Sequence, residues 1–407
     1  MAYVVVGASA AGINAAKTLR EINKDIEIIL VSKDEHVYSR CILHHFLDGR
    51  RNIDDLDFSP AEFFEKYDVK WIKGVEVTAI DTKEKKLKLD NGENLYYEKV
   101  VLATGASSFL PPIENLRTAN NVIGLRNLDD AIRIKEIAPK VKNIIILGAG
   151  LVGVDAMAGL LDYDAKVTMI EMGDRILPLQ LDHYAANVYI ERLKEEGVDF
   201  RFNVRAEKVI VDENNNPVAI KLNTGEEVPG ELIIACTGVR SNVGFLEGSG
   251  IECDKFGLIF NPKGETNVKE VYGAGDISGR NPIWPTAVKE GLIAANNMCD
   301  KEIYMEDFFG SKNTMNFCGV ATMSLGTVIK PDDTYKEAVE VKGKDYKKII
   351  HKDGVIYGAI VQGDLSYVGI LTQIIKDKIN VDRVKKPIFQ IDYSDFFNEK
   401  QNLEFVY

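Results

Sequence analysis

Apolar positions repeat one pattern twice along the chain. A run at Tyr3–Val6 passes into Gly7-Ala8-Ser9-Ala10-Ala11-Gly12, a stretch with helical spacing to about Ile22, and a second run, Ile26–Val31. The order returns at Asn143–Leu147, then Gly148-Ala149-Gly150-Leu151-Val152-Gly153, a helix to about Leu161, and Lys166–Ile170. Apolar runs without alternation are what parallel strands covered on both faces show. Two strand–turn–helix–strand units predict two nucleotide-binding α/β domains. Between them, Ser59-Pro60-Ala61-Glu62 predicts a capped helix start. Lys86–Asp90, Asn91-Gly92 and Asn94–Tyr97 predict a hairpin. A buried strand, Lys99–Ala103, ends at Thr104-Gly105, and Pro111-Pro112 marks a crossing into the second domain. A matching strand, Glu231–Ala235, ends at Thr237-Gly238 and marks the return. Beyond about residue 306 the pattern predicts strands at Val320–Leu325, Tyr346–His351 and Val355–Val361, then a helix from Leu371 to Lys378.

Composition narrows the partners. The 407 residues exceed one ordinary core and suit two or three domains. A net charge of −12 argues against nucleic acid and anionic membrane surfaces. There is no run of 18 apolar residues, so no transmembrane helix is expected, and the N-terminus reads as a first strand rather than a signal peptide. The five cysteines, Cys41, Cys236, Cys253, Cys299 and Cys318, form no CxxC pair, so no metal site is expected and a reducing, cytoplasmic location fits.

The glycines carry the chemistry. In GxGxxG, Gly148 permits the bend, Gly150 lets backbone approach a pyrophosphate, and Gly153 lets helix and strand pack. Leu151 and Val152 open the helix whose N-terminus faces the phosphate. Glu171 closes the next strand, where a carboxylate accepts ribose hydroxyls. The first copy keeps Gly7 and Gly12 but has Ser9 in the centre, flanked by Ala10 and Ala11. Its second strand ends at Ser32, which is placed to bond a ribose, with Asp34 and Glu35 near. A third segment runs from Thr266 into Val271-Tyr272-Gly273-Ala274-Gly275-Asp276, leaving a carboxylate at a strand's C-terminal edge. Trp284-Pro285-Thr286-Ala287 then opens a helix whose positive dipole end would face a developing anion.

These residues resemble the two-dinucleotide-binding flavoproteins of the pyridine nucleotide-disulfide reductase type, over almost the whole chain. Within that family, NADH:rubredoxin oxidoreductases and the flavin part of NADH nitrite reductases look most similar, through Tyr38-Ser39-Arg40, Met315-Asn316-Phe317, Asp353 through Gly358, Gly363-Asp364 and Gly369-Ile370-Leu371-Thr372. The resemblance implies FAD and NADH as cofactors, with hydride passing from NADH to flavin N5. Asp276 would hold the ribityl chain. Thr104, Gly105 and Gly238 fall in the family's two ATG-type turns. Val77 would meet adenine through its backbone, and Arg40 and Arg126 fall at FAD-binding positions, Arg126 near the pyrophosphate. Trp284 and Thr286 begin the helix beside the flavin. Where ferredoxin-reductase relatives pair a Lys with a Glu beside the flavin, the aligned residues are His45 and Asp155. Cys41 falls where NADH peroxidase and CoA-disulfide reductase carry a redox cysteine, with different neighbours. It is either a packing residue or a redox thiol.

The expected architecture is an α/β protein with two Rossmann-like nucleotide-binding domains, for FAD (1–112 and 242–305) and NADH (113–241), plus a C-terminal α+β interface or docking domain (306–407). The expected function is NADH oxidation with electrons passed to a carrier protein such as rubredoxin. The rivals are a Cys41-dependent reductase of peroxide or a low-molecular-weight disulfide, using a small-molecule acceptor, and a redox-sensing protein that binds FAD and NADH. Basic residues in Lys342–Lys352 and Arg383–Lys386 are a candidate docking face, and the C-terminal domain a candidate homodimer contact.

Overall fold

The structure, a computed structural model, describes residues 2–306, 312–396, 398–399 and 405–406. The chain divides into two compact units. One comprises Met1–Leu147, Asp155–Ala165 and Ala206–Phe308, the other Gly148–Val154, Lys166–Arg205 and Phe309–Tyr407.

In the first unit the strands Val69–Lys73, Ile28–Ser32, Ala2–Val6 and Asn94–Leu102 lie side by side and parallel. Val271–Gly273 also pairs in parallel with Asn94–Leu102. Val4, Val5, Val100 and Val101 have no exposed surface, which is why these strands read as unbroken apolar runs. Helices Ala10–Ile22 and Trp284–Met298 pack on one face of the sheet. The two strand segments expected at 94–97 and 99–103 are one strand. Its first half pairs antiparallel with Lys86–Leu89, its second half parallel with Ala2–Val6. The helix expected from Ser59 is confined to Phe63–Lys66. Ser59 bonds Asp57 through both its N–H and its hydroxyl, and Glu62 is left-handed at φ 53°, so the cap is used locally and the helix starts late.

The same unit holds a parallel set formed by Val122–Gly124, Leu232–Ala235 and Asn143–Leu147. An antiparallel ribbon pairs Ala106–Ser108 with Val239–Ser241, and of the stretch 113–241 expected as one domain, 113–147, 155–165 and 206–241 share this unit while 148–154 and 166–205 belong to the other.

In the second unit, Lys166–Ile170 runs parallel to Asp199–Arg201. A five-stranded antiparallel sheet follows, in the order Lys312–Phe317, Val320–Gly326, Val355–Gln362, Asp345–Lys352, Lys336–Lys342. Alternation decides its two faces. Met323, Leu325, Ile349 and Val361 meet Leu371 and Ile374 of helix Val368–Lys376. Thr322, Gln362 and Lys348 point the other way, toward polar groups of the segment Asp182–Glu195: Tyr189 Oη donates to Thr322 Oγ1 at 2.7 Å, and Lys348 Nζ lies 3.2 Å from both Asp182 and Glu337. The basic stretch expected at the surface is therefore partly consumed. Lys348 is buried, Lys342 pairs with Glu340 at 2.9 Å, and Lys386 with Asp395 at 2.5 Å. Among the described residues no helix is long and apolar enough to cross a membrane.

Candidate active site

A cleft of about 660 Å³ opens at the C-terminal ends of the parallel strands in the first unit. Its floor is the first glycine turn. Gly7 has φ 115°, and a Cβ there would stand 2.3 Å from the carbonyl oxygen of Ala103. Only glycine fits. Gly12 is not part of the wall. A Cβ there would lie 1.8 Å from the oxygen of Gly7, so its task is packing. Ser9, Ala10 and Ala11 line the cleft at the start of helix Ala10–Ile22, and the Ser9 hydroxyl makes no capping bond. The first-turn N–H groups thus have no side-chain cap, which suits an anion.

The walls are polar and cross-tied. Ser32 lines the cleft, but its hydroxyl donates to the oxygen of Asp34 at 2.8 Å and accepts from Trp71 Nε1 at 2.9 Å. Asp34 accepts from Tyr38 Oη at 3.0 Å and from Arg40 Nη2 at 2.9 Å, and Arg40 Nη1 reaches the oxygen of Arg126 at 3.0 Å. Arg126 donates from Nε to Ala106 O at 3.0 Å and forms an ion pair with Asp276 inside the cleft. Val77, Thr104, Gly105 and Trp284 also line it. Thr104 donates to Asn242 O at 2.9 Å. Thr286 is absent from the wall, a correction: it stands in the first turn of helix Trp284–Met298 with 4% of its surface exposed, turned away from the cleft. Gly238, at φ 101°, precedes the strand Val239–Ser241, accepts from Phe109 N–H at 2.9 Å and also lies outside this wall.

Cys41 lines the cleft. The pairing expected between His45 and Asp155 is corrected: His44 Nδ1 lies 3.9 Å from Asp155 Oδ1, and His45 Nδ1 lies 3.3 Å from Asp48 Oδ2. Neighbours on the helix Leu43–Leu47 project about 100° apart, so both cannot face one partner, and His45 meets the residue three positions on. Burial, and then the adjacent His45, push His44 down to about 4. Burial pushes the Asp155 carboxyl up to about 7, although 29% of the side chain stays open. The Cys41 thiol is pushed up by burial first and then by Asp155. At neutral pH this corner holds a neutral imidazole, a carboxyl near its midpoint and a thiol rather than a thiolate.

In the second unit, Gly148 has φ 105° and donates to Ile170 O at 2.8 Å, which closes the second glycine turn. A Cβ on Gly150 would meet nothing within 4 Å, so that backbone is open to close approach. Leu151 and Val152 begin the helix, Val152 40% exposed, and Gly153 is buried. Glu171 accepts from Ala149 N–H and Gly173 N–H, each at 2.7 Å, and so stands at the turn. Arg175 is buried and turned inward, bonding Leu181 O at 3.1 Å, Pro178 O at 3.2 Å and Asp174 at 2.6 Å.

Sequence reasoning missed His44, Asn242 and Glu290. Glu290 Oε2 accepts from Gly275 N–H at 2.7 Å, behind the cleft wall. Its one signal is an acid, beside Lys289, in a helix that has no other charged residue.

The first cleft fits a flavin dinucleotide. The uncapped helix start and Arg126 suit a pyrophosphate, and Asp276 suits polyol hydroxyls. Residues 1–291 match the family described as pyridine nucleotide-disulphide oxidoreductase, and residues 312–379 match the rubredoxin NAD+ reductase C-terminal domain. The chain is 28% identical over 321 residues to an NADH oxidase of Methanocaldococcus jannaschii, covering 74% of this chain and 71% of the relative. It is 25% identical over 370 residues to an NADH-rubredoxin oxidoreductase of Clostridium acetobutylicum, covering 89% and 91%. The structure of an NAD-dependent persulfide reductase from A. fulgidus superposes with a TM-score of 0.85 at 23% identity, over 94% of this chain and 78% of that one, a likeness of fold. With a family match across residues 1–291 and a cleft shaped for the cofactor, the chain belongs to the pyridine nucleotide-disulphide oxidoreductases and is an FAD- and NADH-dependent oxidoreductase.

Proposed function

We propose that the chain oxidises NADH and passes the electrons to a small electron-carrier protein of the rubredoxin type. The observation that carries this reading is the state of Cys41. A thiol-dependent reductase needs a thiolate, which a neighbouring cation or base supplies. Cys41 keeps some exposed surface, and Arg126 and Arg40 pull its thiol down, but burial and Asp155 outweigh them and push it up, and His44, held well below its ordinary value, is a weak base set against Asp155. The C-terminal match to rubredoxin reductases and the Clostridium relative point to the same class of acceptor. Bound FAD supplies the exchange between a two-electron donor and a one-electron acceptor. The residues would do the rest: the glycine turns and Arg126 bind phosphate, Asp276 anchors the polyol, and Asp155 holds a proton near Cys41. A second reading, reduction of peroxide or a low-molecular-weight disulfide through Cys41, keeps one support, since Cys41 does line the cleft. The test is steady-state NADH oxidation against rubredoxin, ferredoxin, peroxide, CoA disulfide and oxygen. Fastest turnover with rubredoxin is expected. Fastest turnover with peroxide or CoA disulfide would move the assignment to the second reading.

A further inference from the structure

Every cation that lines the cleft is answered by an acid. Lys33 pairs with Glu76 at 3.0 Å, Arg40 with Asp34 at 2.9 Å, and Arg126 with Asp276. Just outside the wall the balance changes. Arg117 and Arg240 are exposed, and among the described residues neither has an ion-pair partner. Their guanidinium carbons stand 6.0 Å and 4.4 Å from the centroid of one ring, that of Phe109.

This cluster is held in place. Phe109 is half-buried, its N–H donates to Gly238 O at 2.9 Å, and its carbonyl accepts from Thr237 Oγ1 at 2.5 Å. Arg117 Nε donates to Leu110 O at 2.8 Å, which fixes the side chain and leaves its terminal nitrogens for another acceptor. Arg240 is the cross-strand partner of Ser107 in the ribbon Ala106–Ser108 with Val239–Ser241, so the two side chains leave the ribbon on one face. Ser107 lines the cleft and donates to Asn242, another wall residue, at 2.7 Å. Arg240 thus stands beside the rim of the cleft, and Arg117 shares its ring.

Two guanidiniums at one ring repel each other. The ring face offsets part of that repulsion, and a carboxylate from outside offsets more, because it matches the guanidinium fork with two hydrogen bonds. Phe109 and the two arginines lie outside the cleft wall, on open surface, where an aromatic side chain flanked by arginines has the composition of a protein–protein hot spot. The chain as a whole carries −12 and repels an acidic partner, but salt screens exposed charges beyond about 8 Å. Within that range local charge decides where such a partner settles, and beside this cleft the free guanidiniums favour carboxylates.

We propose that Arg117, Phe109 and Arg240 form the landing site of an electron-carrier protein, which sets carboxylates against the two guanidiniums at the rim of the flavin cleft. The landing site presupposes the carrier reading of the function and adds where the carrier binds and what charge it presents. The three residues serve association and take no part in holding either nucleotide.

The test compares wild type with Arg117→Glu/Arg240→Glu in NADH-driven reduction of a rubredoxin across ionic strength, with an uncharged quinone as control acceptor. In the variant, KM for rubredoxin is expected to rise about tenfold or more at low salt with kcat held within about twofold, and the fall of kcat/KM with added salt to flatten. FAD content, flavin reduction by NADH and turnover with the quinone are expected to match wild type. Unchanged KM and salt dependence, a loss carried by kcat alone, or an equal loss with the quinone overturns the landing site and leaves the carrier reading standing. Wild type that does not reduce rubredoxin overturns the carrier reading, and the landing site with it. Should the double variant not fold, Arg117→Gln and Arg240→Gln are measured singly, and a KM for rubredoxin unchanged in both equally overturns the landing site.

Discussion

At the scale of single residues, environment decides what Cys41 and Asp155 can do. Cys41 faces the cleft, yet burial and Asp155 push its thiol up by more than Arg126 and Arg40 pull it down. Cys41→Ser should keep at least about half of NADH:acceptor turnover with a carrier protein, since electron transfer from a flavin needs no thiol. Stopped-flow reduction by NADH, with FAD content measured in parallel, separates loss of chemistry from loss of cofactor. A drop of about tenfold or more with both unchanged would favour the thiol route. Asp155 has the opposite sign from a salt-bridged acid. Its folded value, about 7, lies above its ordinary one, so between the two the native state binds more protons than the unfolded chain. Its contribution is fully present below the ordinary carboxylate range and is lost as pH rises toward 7. The melting temperature of the FAD-free protein should therefore fall across that window, and Asp155→Asn should flatten the fall, by about 2–4 °C for each kcal/mol removed. The residue that faces Asp155 was not legible in the sequence. His44 and His45 are adjacent and chemically identical, and only the direction of a five-residue helix chooses between them.

At the scale of elements, the strand–turn–helix units were the most legible part of the chain, because their strands are buried on both faces and their turns demand glycine. The turn at Gly148, the open backbone at Gly150 and the carboxylate of Glu171 lie together as the motif anticipates. Ser59 shows the limit: a cap, a proline and a glutamate at helix spacing lost to an aspartate two residues upstream. The second glycine turn supports a prediction on nucleotide choice. Glu171 would meet a 2′-phosphate with like charge, and two such charges about 4 Å apart cost about 1–4 kcal/mol. Arg175, the cation nearest in sequence, is spent on loop carbonyls and Asp174. NADH should be preferred over NADPH by about ten- to several-hundred-fold in kcat/KM, and Glu171→Ala should narrow that ratio. Equal use of the two nucleotides by wild type would remove Glu171 from the ribose.

At the scale of the whole molecule, the cleft residues come from segments far apart in sequence, between Val6 and Ala287, yet all belong to the first unit. FAD should therefore stabilise that unit by mass action, by about 2.7 kcal/mol at a hundredfold excess over its dissociation constant. Removing FAD should lower the first melting transition, and adding it back should restore it. Asp276→Ala should largely abolish both FAD retention and that shift, because a hydrogen bond to a charged group contributes about 1.5–3 kcal/mol and Arg126 would lose its partner. Unchanged FAD content in the variant would take Asp276 out of the site.

The ribbon of Ala106–Ser108 with Val239–Ser241 brings two distant stretches of the chain to one place. It looks like a splice junction, but the chain between its strands is no free-standing cassette, since 109–147, 155–165 and 206–238 belong to the same compact unit as the cleft. Arg126 and Asn127 lie within that stretch and line the cleft. A segment exchanged at Ser108 and Val239 would arrive without the guanidinium that faces Asp276 unless it brought its own. Inheritance of the intervening segment is in this way tied to inheritance of the cleft, and a chimera that keeps the cleft must cut downstream of Asp129.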